Sequence, residues 1–365
     1  MSAPAIKYIF LVRHGKPQTP DERSYCLGGG SDYPLAPLGV KQARALARCF
    51  AGLELDGIYS SRLKRAWETA AMIAAGREIE TLEGIEEISV GAWENKPFEV
   101  IKANYADIYA ARGLDWSITP PGGETLAGAA ARMEAAVRRA VLGAGGNLLI
   151  VTHDGVIRAL LWKLMRLDTR KDAMIRQPYG SVTVLECAAG KLTVTAAGKL
   201  PEDTPRDEEI EELWHICATP PEVRDHCAAV CEEALALRER LLSGGTVLSH
   251  ELLRAASLLH DLCRAGGRGH AARAAAILRG RGYLRTAQLI EAHHSCAFGE
   301  ALDEEQVLFL ADKYLDGAER VTLAERFGRS AGKCRTPEAK AKHAALLAAA
   351  LQIQEKIVNR GCAAR

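Results

Sequence analysis

The chain has 365 residues, which is long for one hydrophobic core and enough for two domains. Its composition, with 48% apolar and 25% charged residues, is that of a globular protein. A formal net charge of +1 excludes the strongly basic surface that nucleic acid or an anionic membrane attracts. No apolar run approaches the roughly 20 residues of a membrane span, and we recognise no signal peptide at the start of the sequence. The ten cysteines form no CxxC pair. We therefore expect a cytoplasmic protein with reduced thiols.

Residues 7 to about 198 alternate strand-like and helix-like segments. The runs "YIFLV" and "NLLIVTH" are short and continuously apolar, which is typical of parallel strands covered on both faces. Alanine-rich helical segments lie between them, and "VTVLECAAGKLTVTA" predicts a closing hairpin that turns at Gly190. This part of the chain is therefore predicted to be an α/β three-layer sandwich.

The pattern changes at "LPEDTPRDEEIEELW", where two prolines and an acidic run indicate a solvated linker or a new helix. Beyond it we predict helices and no strand, and eight of the ten histidines lie from His215 onward. The predicted domains are therefore 1–203, which is α/β, and 204–365, which is all-α.

Two basic residues stand directly after the first buried strand, in "LVRHG". Open α/β sheets bind ligands at the carboxyl ends of their strands, and Gly15 permits a sharp turn there. Arg13 offers a planar fork suited to phosphate oxygens, and a neutral His14 is a nucleophile that can accept a phosphoryl group. A histidine packed at a strand end beside a solvated arginine would give the same three letters, so this motif alone leaves both interpretations open.

Two later segments repeat this arrangement. "YSSRLKRAWETA" predicts a strand, a turn and a helix whose first turn carries Arg65, and "LLIVTHDGVIR" predicts a strand followed by His153. Three strand ends then each supply a cationic or hydrogen-bonding group, which is enough to surround a phosphate dianion. Transfer to a histidine also requires an acid for the leaving oxygen, and "IEEISVGAWE" offers Glu86, Glu87 and Glu94.

In their order, these motifs resemble those of the histidine phosphatase superfamily, with its phosphoglycerate-mutase-like fold, over roughly residues 6–198. The resemblance implies that His14 becomes a phosphohistidine and that the fold needs no cofactor for this step. It also implies that the phosphoryl group is bound by Arg13, Arg65 and His153.

The same resemblance selects between neighbouring candidates. Arg65 is preferred to Arg62 because it stands directly before the alanine in "LKRA", and Glu87 matches the family's acid, four residues before Gly91. Glu86 is then expected to be solvated.

The short segment between "WE" and "PGGET" makes the domain similar to small phosphatases of the α-ribazole phosphatase type, because mutases of the family carry longer insertions. We therefore expect hydrolysis of a small phosphorylated metabolite, with a phosphoglycerate-type mutase as the alternative. Lys16, Pro17 and Asp154 depart from the common family pattern near the mouth of the site, where they would affect the choice of substrate.

In the helical half, histidine and aspartate recur at positions that are otherwise apolar. A buried aspartate beside a histidine is costly unless it is paired or bound to a metal. Imidazoles and carboxylates without matching cysteines suit iron, manganese or another first-row ion rather than a structural zinc. For any single residue, a core histidine bonded to the backbone remains the alternative. The residues in question are His226, His260, Asp261, His293 and Asp312.

This set resembles the HD superfamily of metal-dependent phosphohydrolases over roughly residues 218–320. The resemblance implies four core metal ligands, which are His226, His260, Asp261 and Asp312. His270 and His293 resemble the additional histidines of members that hold two metals, and His294 could replace His293 because adjacent helical side chains point about 100° apart. Arg264 stands where many members have a lysine, so the domain is expected to be a phosphohydrolase or, alternatively, a nucleotide-sensing regulatory module.

The two resemblances together predict a bifunctional phosphohydrolase. Its expected ligands are a small phosphorylated metabolite, a nucleotide-like phosphate ester or anhydride, and one or two divalent metal ions in the HD domain. No nucleic acid and no membrane are expected, and the sequence is compatible with a homo-oligomer. Three histidines match no motif and are expected to be ordinary surface or packing residues: His215, His250 and His343.

Overall fold

A computed structural model of the protein describes residues 7–172, 174–267, 269–295 and 298–362. The chain divides into two compact units, of which the first ends at Pro201 and includes Gly280–Gly282, and the second comprises Glu202–Arg279 and the chain from Tyr283 onward. This division lies two residues before the boundary predicted between residues 203 and 204. Within the described ranges, no helix combines the length and apolarity that crossing a bilayer requires.

The strands and helices of the first unit alternate along the chain. Its strands are β1 (Lys7–Arg13), β2 (Tyr25–Cys26), β3 (Gly57–Ser60), β4 (Glu80–Thr81), β5 (Lys96–Pro97), β6 (Leu148–Thr152), β7 (Val182–Ala188) and β8 (Lys191–Lys199). Its helices are α1 (Pro37–Phe50), α2 (Lys64–Ala74), α3 (Phe98–Asn104), α4 (Ala106–Leu114), α5 (Leu126–Leu142) and α6 (Asp154–Met165), with a 3-10 turn at Gly91–Trp93.

Six of these strands form one mixed sheet in the order β4-β3-β6-β1-β7-β8. The four strands from β4 to β1 are parallel, whereas β7 runs antiparallel to β1 and β8 antiparallel to β7. The closing hairpin is therefore confirmed, and Gly190 adopts a φ of +76° in its turn, a conformation that glycine reaches without a steric cost. β2 and β5 pair separately as a short antiparallel ribbon.

The central strand β1 is buried on both faces. On one face Leu11 shares a cluster with Met133 of α5 and Ile157 of α6. On the other face the ring of Phe10 packs edge-on against Phe50 of α1, with 5.4 Å between the ring centroids. Burial of each such side chain contributes roughly 1.5–3 kcal/mol. Helices thus cover both faces of the sheet, and the predicted α/β three-layer sandwich is confirmed.

The register of the sheet places the carboxyl ends of three strands side by side. Arg13 at the end of β1 pairs with Thr152 at the end of β6, and Ser60 at the end of β3 pairs with Val151. The residues that follow these strands are His14, His153 and Ser61. Their backbones are therefore brought together by main-chain pairing before any side-chain contact is considered.

The second unit is helical. Its helices are α7 (Asp207–Ile216), α8 (Pro221–Ser243), α9 (His250–Leu259), α10 (His270–Gly280), α11 (Leu284–Ala292), α12 (Glu304–Lys313), α13 (Leu323–Ala331) and α14 (Pro337–Cys362), with a 3-10 turn at Arg264–Gly266. The fully or almost fully buried Val230, Leu253, Phe309 and Ile353, from four of these helices, share one core.

The expectation of no strand in this half is wrong at one place. A hairpin of β9 (Leu315–Asp316) and β10 (Glu319–Arg320) turns at Gly317, whose φ is +63°. Two-residue strands are too short to give a period-two pattern, so the sequence offered no signal for them. Apart from this hairpin, the described part of the domain is all-α as predicted.

Candidate active site and metal site

Both ring nitrogens of His14 are engaged in hydrogen bonds. Nδ1 donates to the carbonyl oxygen of Gly15 at 2.6 Å, and Nε2 accepts from Nε of Arg65 at 3.1 Å. Because a guanidinium only donates, these contacts place the ring proton on Nδ1 and a lone pair on Nε2. Burial, assisted by the charges of Arg65 and Arg13, lowers the pKa of His14 well below its ordinary value. His14 is therefore a neutral imidazole with an unprotonated Nε2, which is the form of the ring that can act as a nucleophile.

Arg65 is itself held by a loop between β2 and α1. Its guanidinium donates to the carbonyl oxygens of Ser31 and Gly28, the latter at 3.2 Å. The carboxylate of Glu94 accepts hydrogen bonds from the amide of Gly28 at 2.8 Å and from the hydroxyl of Ser31. Glu94 thus positions the loop that orients Arg65, a role that its place in the sequence did not indicate.

Two further groups surround His14. Arg13 stacks on Tyr179, with its Cζ 3.8 Å from the ring centroid. His153 caps the amino end of α6, lies with its ring centroid 5.0 Å from that of His14, and has its Nε2 2.8 Å from Oγ of Ser61. The sequence assigned no role to Ser61 or Tyr179. The position of Ser61 directly after β3 was a signal for it, whereas nothing local indicated Tyr179.

The carboxylate of Glu87 lies at the amino end of α6. It accepts hydrogen bonds from the backbone amides of Gly155 and Val156, each at 3.1 Å, and from that of Ile88 at 2.8 Å. Burial raises the pKa of Glu87, and the nearby charge of Asp154 raises it further. A carboxyl group that keeps its proton at higher pH is suited to act as a general acid.

Four residues of the predicted site, Arg13, His14, Arg65 and Glu87, line a cavity of about 350 Å³, a volume in the range of small-molecule sites. His153 packs against His14 but is not among the described residues that line the cavity, and neither are Glu86 and Glu94. The partly exposed Glu86 instead accepts a hydrogen bond from the amide of Gly84.

In the helical unit, the predicted ligands come from separate elements and meet at one place. Nε2 of His226, on α8, lies 3.3 Å from Oδ1 of Asp312, on α12. Nε2 of His260, at the end of α9, lies 3.7 Å from Oδ2 of Asp261 and 3.8 Å from Oδ1 of Asp312. These side chains are almost completely buried.

Backbone carbonyls orient the histidine rings. Nδ1 of His226 donates to Gly317 at 2.7 Å, and Nδ1 of His260 donates to Ser257 at 2.8 Å. His293 likewise donates from Nδ1 to a backbone carbonyl. Each ring then presents Nε2 toward the carboxylates, which is the arrangement of metal-binding histidines. The hairpin at Gly317, which the sequence analysis missed, thus supports the site directly.

Buried polar atoms in this cluster are without a hydrogen-bond partner in the described part of the chain. They are Nε2 of His260 and Nε2 of His293. An unsatisfied buried group costs about 1–3 kcal/mol, and a cation bound between these atoms would remove that cost. Because the donors are imidazole nitrogens and carboxylate oxygens, they fit a divalent first-row metal.

A second group of possible ligands adjoins the first. The nearest ligand atoms of His270, His293 and His294 all lie within 4.8 Å of one another. Nε2 of His270 is 2.9 Å from Oδ1 of Asp261, and Nε2 of His294 is 3.2 Å from Nε2 of His270. His293 is buried and His294 is exposed, and both belong to this group.

Two cations flank the carboxylates. Arg264 forms an ion pair with Oδ2 of Asp261, and Lys313 forms one with Oδ2 of Asp312. Lys313 was not predicted as part of the site, although it directly follows the predicted ligand Asp312. His215, His250 and His343 lie outside both ligand groups.

Comparison with known proteins agrees with both resemblances. Residues 9–199 match the model of the histidine phosphatase superfamily (branch 1), and residues 223–316 match that of the HD domain. Because the first match covers more than half of the chain, the protein belongs to the histidine phosphatase superfamily, and it carries an HD domain after the phosphatase domain. In general terms it is a bifunctional phosphohydrolase.

Several relatives match the first domain alone. The adenosylcobalamin/alpha-ribazole phosphatase of Salmonella typhimurium is 28% identical over 190 residues, which are 51% of this chain and 93% of that protein. The Escherichia coli phosphatase of the same name is 28% identical over 161 residues, 43% of this chain and 78% of that protein. Among solved structures, Bacillus stearothermophilus YhfR is 28% identical with a TM-score of 0.49, covering 53% of this chain and 98% of that one.

Proposed function

We propose that the N-terminal domain hydrolyses a small phosphomonoester through a phosphohistidine at His14. The observation that carries the proposal is the hydrogen bond from Nε of Arg65 to Nε2 of His14, because it requires an unprotonated Nε2 on a residue that lines the cavity. The relatives named adenosylcobalamin/alpha-ribazole phosphatase support a phosphatase activity.

In the first step Nε2 of His14 attacks phosphorus, and the bond from phosphorus to the ester oxygen breaks. Glu87 gives its proton to that oxygen, so the product leaves as a neutral alcohol. In the second step water attacks the phosphohistidine, Glu87 takes a proton from the water, and the phosphorus–nitrogen bond breaks to release phosphate. Arg13 and Arg65 neutralise the charge on the phosphoryl oxygens in both steps.

The test is phosphate release by the full chain from a simple monoester such as propyl phosphate. His14→Ala should abolish release, the exposed-site control His215→Ala should retain it, and EDTA should leave it largely intact. Strong inhibition by EDTA, or undiminished release by His14→Ala, would contradict the proposal. Transfer of the phosphoryl group to a second alcohol instead of water would identify a mutase.

For the HD domain we propose a second phosphohydrolase, which acts on a nucleotide-like phosphate ester or anhydride. The residues that would hold one ion are His226, His260, Asp261 and Asp312. Those that would hold another are His270, His293 and His294. A bound divalent metal would lower the pKa of a coordinated water and screen phosphate charge. Arg264 and Lys313 would add positive charge beside the carboxylates.

A nucleotide-sensing module is the second candidate, and the pairing of Arg264 with Asp261 is the observation that favours it. An arginine already paired to a predicted ligand is less available to a substrate phosphate than a free one. The test is a panel of nucleotides incubated with Mn²⁺ and the full-length His14→Ala protein, in which the first site is silent. Turnover that Asp312→Ala abolishes supports the hydrolase, whereas binding without turnover supports the sensor.

A further inference from the structure

The cavity at His14 carries more positive charge than the binding of one phosphoryl group requires. Besides Arg13 and Arg65, it is lined by Arg112 from α4 and Arg158 from α6. The chemistry proposed above assigns no role to this second pair of arginines.

Arg158 belongs to a chain of charges that begins at the phosphate site. Its Nε lies 2.7 Å from Oδ1 of Asp154, and Oδ2 of Asp154 lies 3.8 Å from a terminal nitrogen of Arg13. One carboxylate is therefore shared between two guanidinium groups. Arg158 is thereby oriented in the cavity, while its charge is only partly compensated.

Arg112 has no carboxylate within 4 Å among the residues that the structure describes. It is half-buried, and its guanidinium donates to the carbonyl oxygen of Ile118. Arg112 and Arg158 line the same cavity. Burial lowers the pKa of Arg112, the nearby Cys26 raises it, and the charge of Arg158 lowers it. Two cations that face one cavity without a full complement of carboxylates form a site for an anion.

Two aromatic residues also line the cavity. Trp93 and Trp116 are 3% and 8% exposed. Their rings give the cavity an apolar surface that would cover the carbon chain of a ligand whose charged groups pair with the arginines.

We propose that Arg112 and Arg158 form a second anion subsite, which binds a carboxylate or a second phosphate of the phosphomonoester. This inference rests on the proposed function of the first domain. The make-up of the lining supports it: four arginines line the cavity, whereas Glu87 and Asp154 are the acidic residues among the described ones that line it. On this proposal the preferred substrate carries a second anionic group besides the phosphoryl group that His14 attacks.

The test compares three substrates that share a three-carbon chain. They are propyl phosphate, 3-(phosphonooxy)propanoate and 1,3-propanediol bisphosphate. The last two compounds carry a second anionic group. For the wild type we expect kcat/KM on at least one of these two to exceed kcat/KM on propyl phosphate by about tenfold or more. The better of the two shows whether the subsite takes a carboxylate or a phosphate.

The variants are Arg112→Met, Arg112→Lys and, as the control outside the cavity, Arg139→Met. The preference is kcat/KM on the better substrate with two anionic groups divided by kcat/KM on propyl phosphate. Arg112→Met should lower this ratio roughly 10–100-fold, mainly through a higher KM for the substrate with two anionic groups, and Arg112→Lys should restore part of it. Because the preference is a ratio measured on one preparation, partial misfolding cancels. No preference in the wild type, or a preference that Arg112→Met leaves intact, would overturn the subsite. Failure of the wild type to hydrolyse any of the three would instead overturn the proposed phosphatase function.

Discussion

Nε of Arg65 lies 3.1 Å from Nε2 of His14, so a residue proposed to bind phosphate also fixes the protonation of the proposed nucleophile. His14 directly follows β1, and Arg65 lies in the first turn of α2, which follows β3. The two residues meet because β1 and β3 both pair in register with β6, which aligns their carboxyl ends. Arg65 would then have two functions under the proposed mechanism, one before the substrate binds and one during phosphoryl transfer.

The first prediction concerns Arg65→Lys. A lysine keeps the charge but loses the fork that reaches His14 and the carbonyl oxygens of Ser31 and Gly28 together. We expect kcat/KM for monoester hydrolysis to fall about 10²–10³-fold. The exposed Arg62→Lys in the same segment is the control and should stay near the wild-type rate. Equal effects of the two substitutions, with folding checked by circular dichroism, would count against the assignment.

The second prediction concerns pH. Because the pKa of Glu87 is raised, its proton persists to higher pH than in an ordinary glutamic acid, and activity should fall as pH rises through that pKa. Because the pKa of His14 is lowered, the ring stays neutral below the ordinary histidine range, and activity should persist into acid. The profile of kcat/KM should therefore peak on the acid side of neutrality.

Glu87→Gln tests this profile directly. It should lower the rate roughly 10²–10⁴-fold and flatten the alkaline limb, because glutamine has no proton to lose. The partly exposed Glu86→Gln is the matched control and should keep both the rate and the limb. If kcat/KM of Glu87→Gln still falls with rising pH as it does in the wild type, the general acid is a group other than Glu87.

The third prediction concerns Gly155→Ala. A Cβ at this position would lie 2.7 Å from Oε1 of Glu87, so the carboxylate must move. We expect a loss of about tenfold or more on an alkyl phosphate and a smaller loss on 4-nitrophenyl phosphate, whose leaving group needs less protonation. Gly143→Ala, where the nearest atom to a Cβ is 3.9 Å away, is the control. Equal losses on the two substrates would show a general disturbance of the site.

The fourth prediction concerns metal content. His260→Ala and Asp312→Ala each remove a proposed ligand. After dialysis, the first-row metal content of each full-length variant should be lower than that of the wild type by about tenfold or more. The exposed His215→Ala should bind as much as the wild type. The quantity is measured by inductively coupled plasma mass spectrometry, and unchanged metal in both ligand variants would rule out the site.

Much of the fold follows from local patterns. The run "YIFLV" is apolar at every position because β1 is covered on both faces, and this predicted a parallel strand of the sandwich. β9 and β10 escaped prediction because two residues cannot show a period, although their turn supplies the carbonyl of Gly317 that orients His226.

The candidate site residues differ in how well the sequence predicts them. His14, Arg65 and His153 each follow a strand or begin a helix, so the local sequence pattern predicted that they belong to the site. Arg112 lies on a helix with no such mark, and only the tertiary fold brings it to the cavity of His14. The choice between His293 and His294 depended on helix rotation, and the structure brings both to the same group of ligands.

The central claim is that His14 carries the phosphoryl group during turnover. The most direct measurement is to mix the protein with an alkyl [³²P]phosphate, quench in alkali, in which phosphohistidine survives, and locate the label by peptide mass spectrometry. We expect label on His14 within the first turnover, its disappearance as phosphate is released, and no label in His14→Ala. Release of phosphate with no labelled protein at any time, or label on another residue, would contradict it.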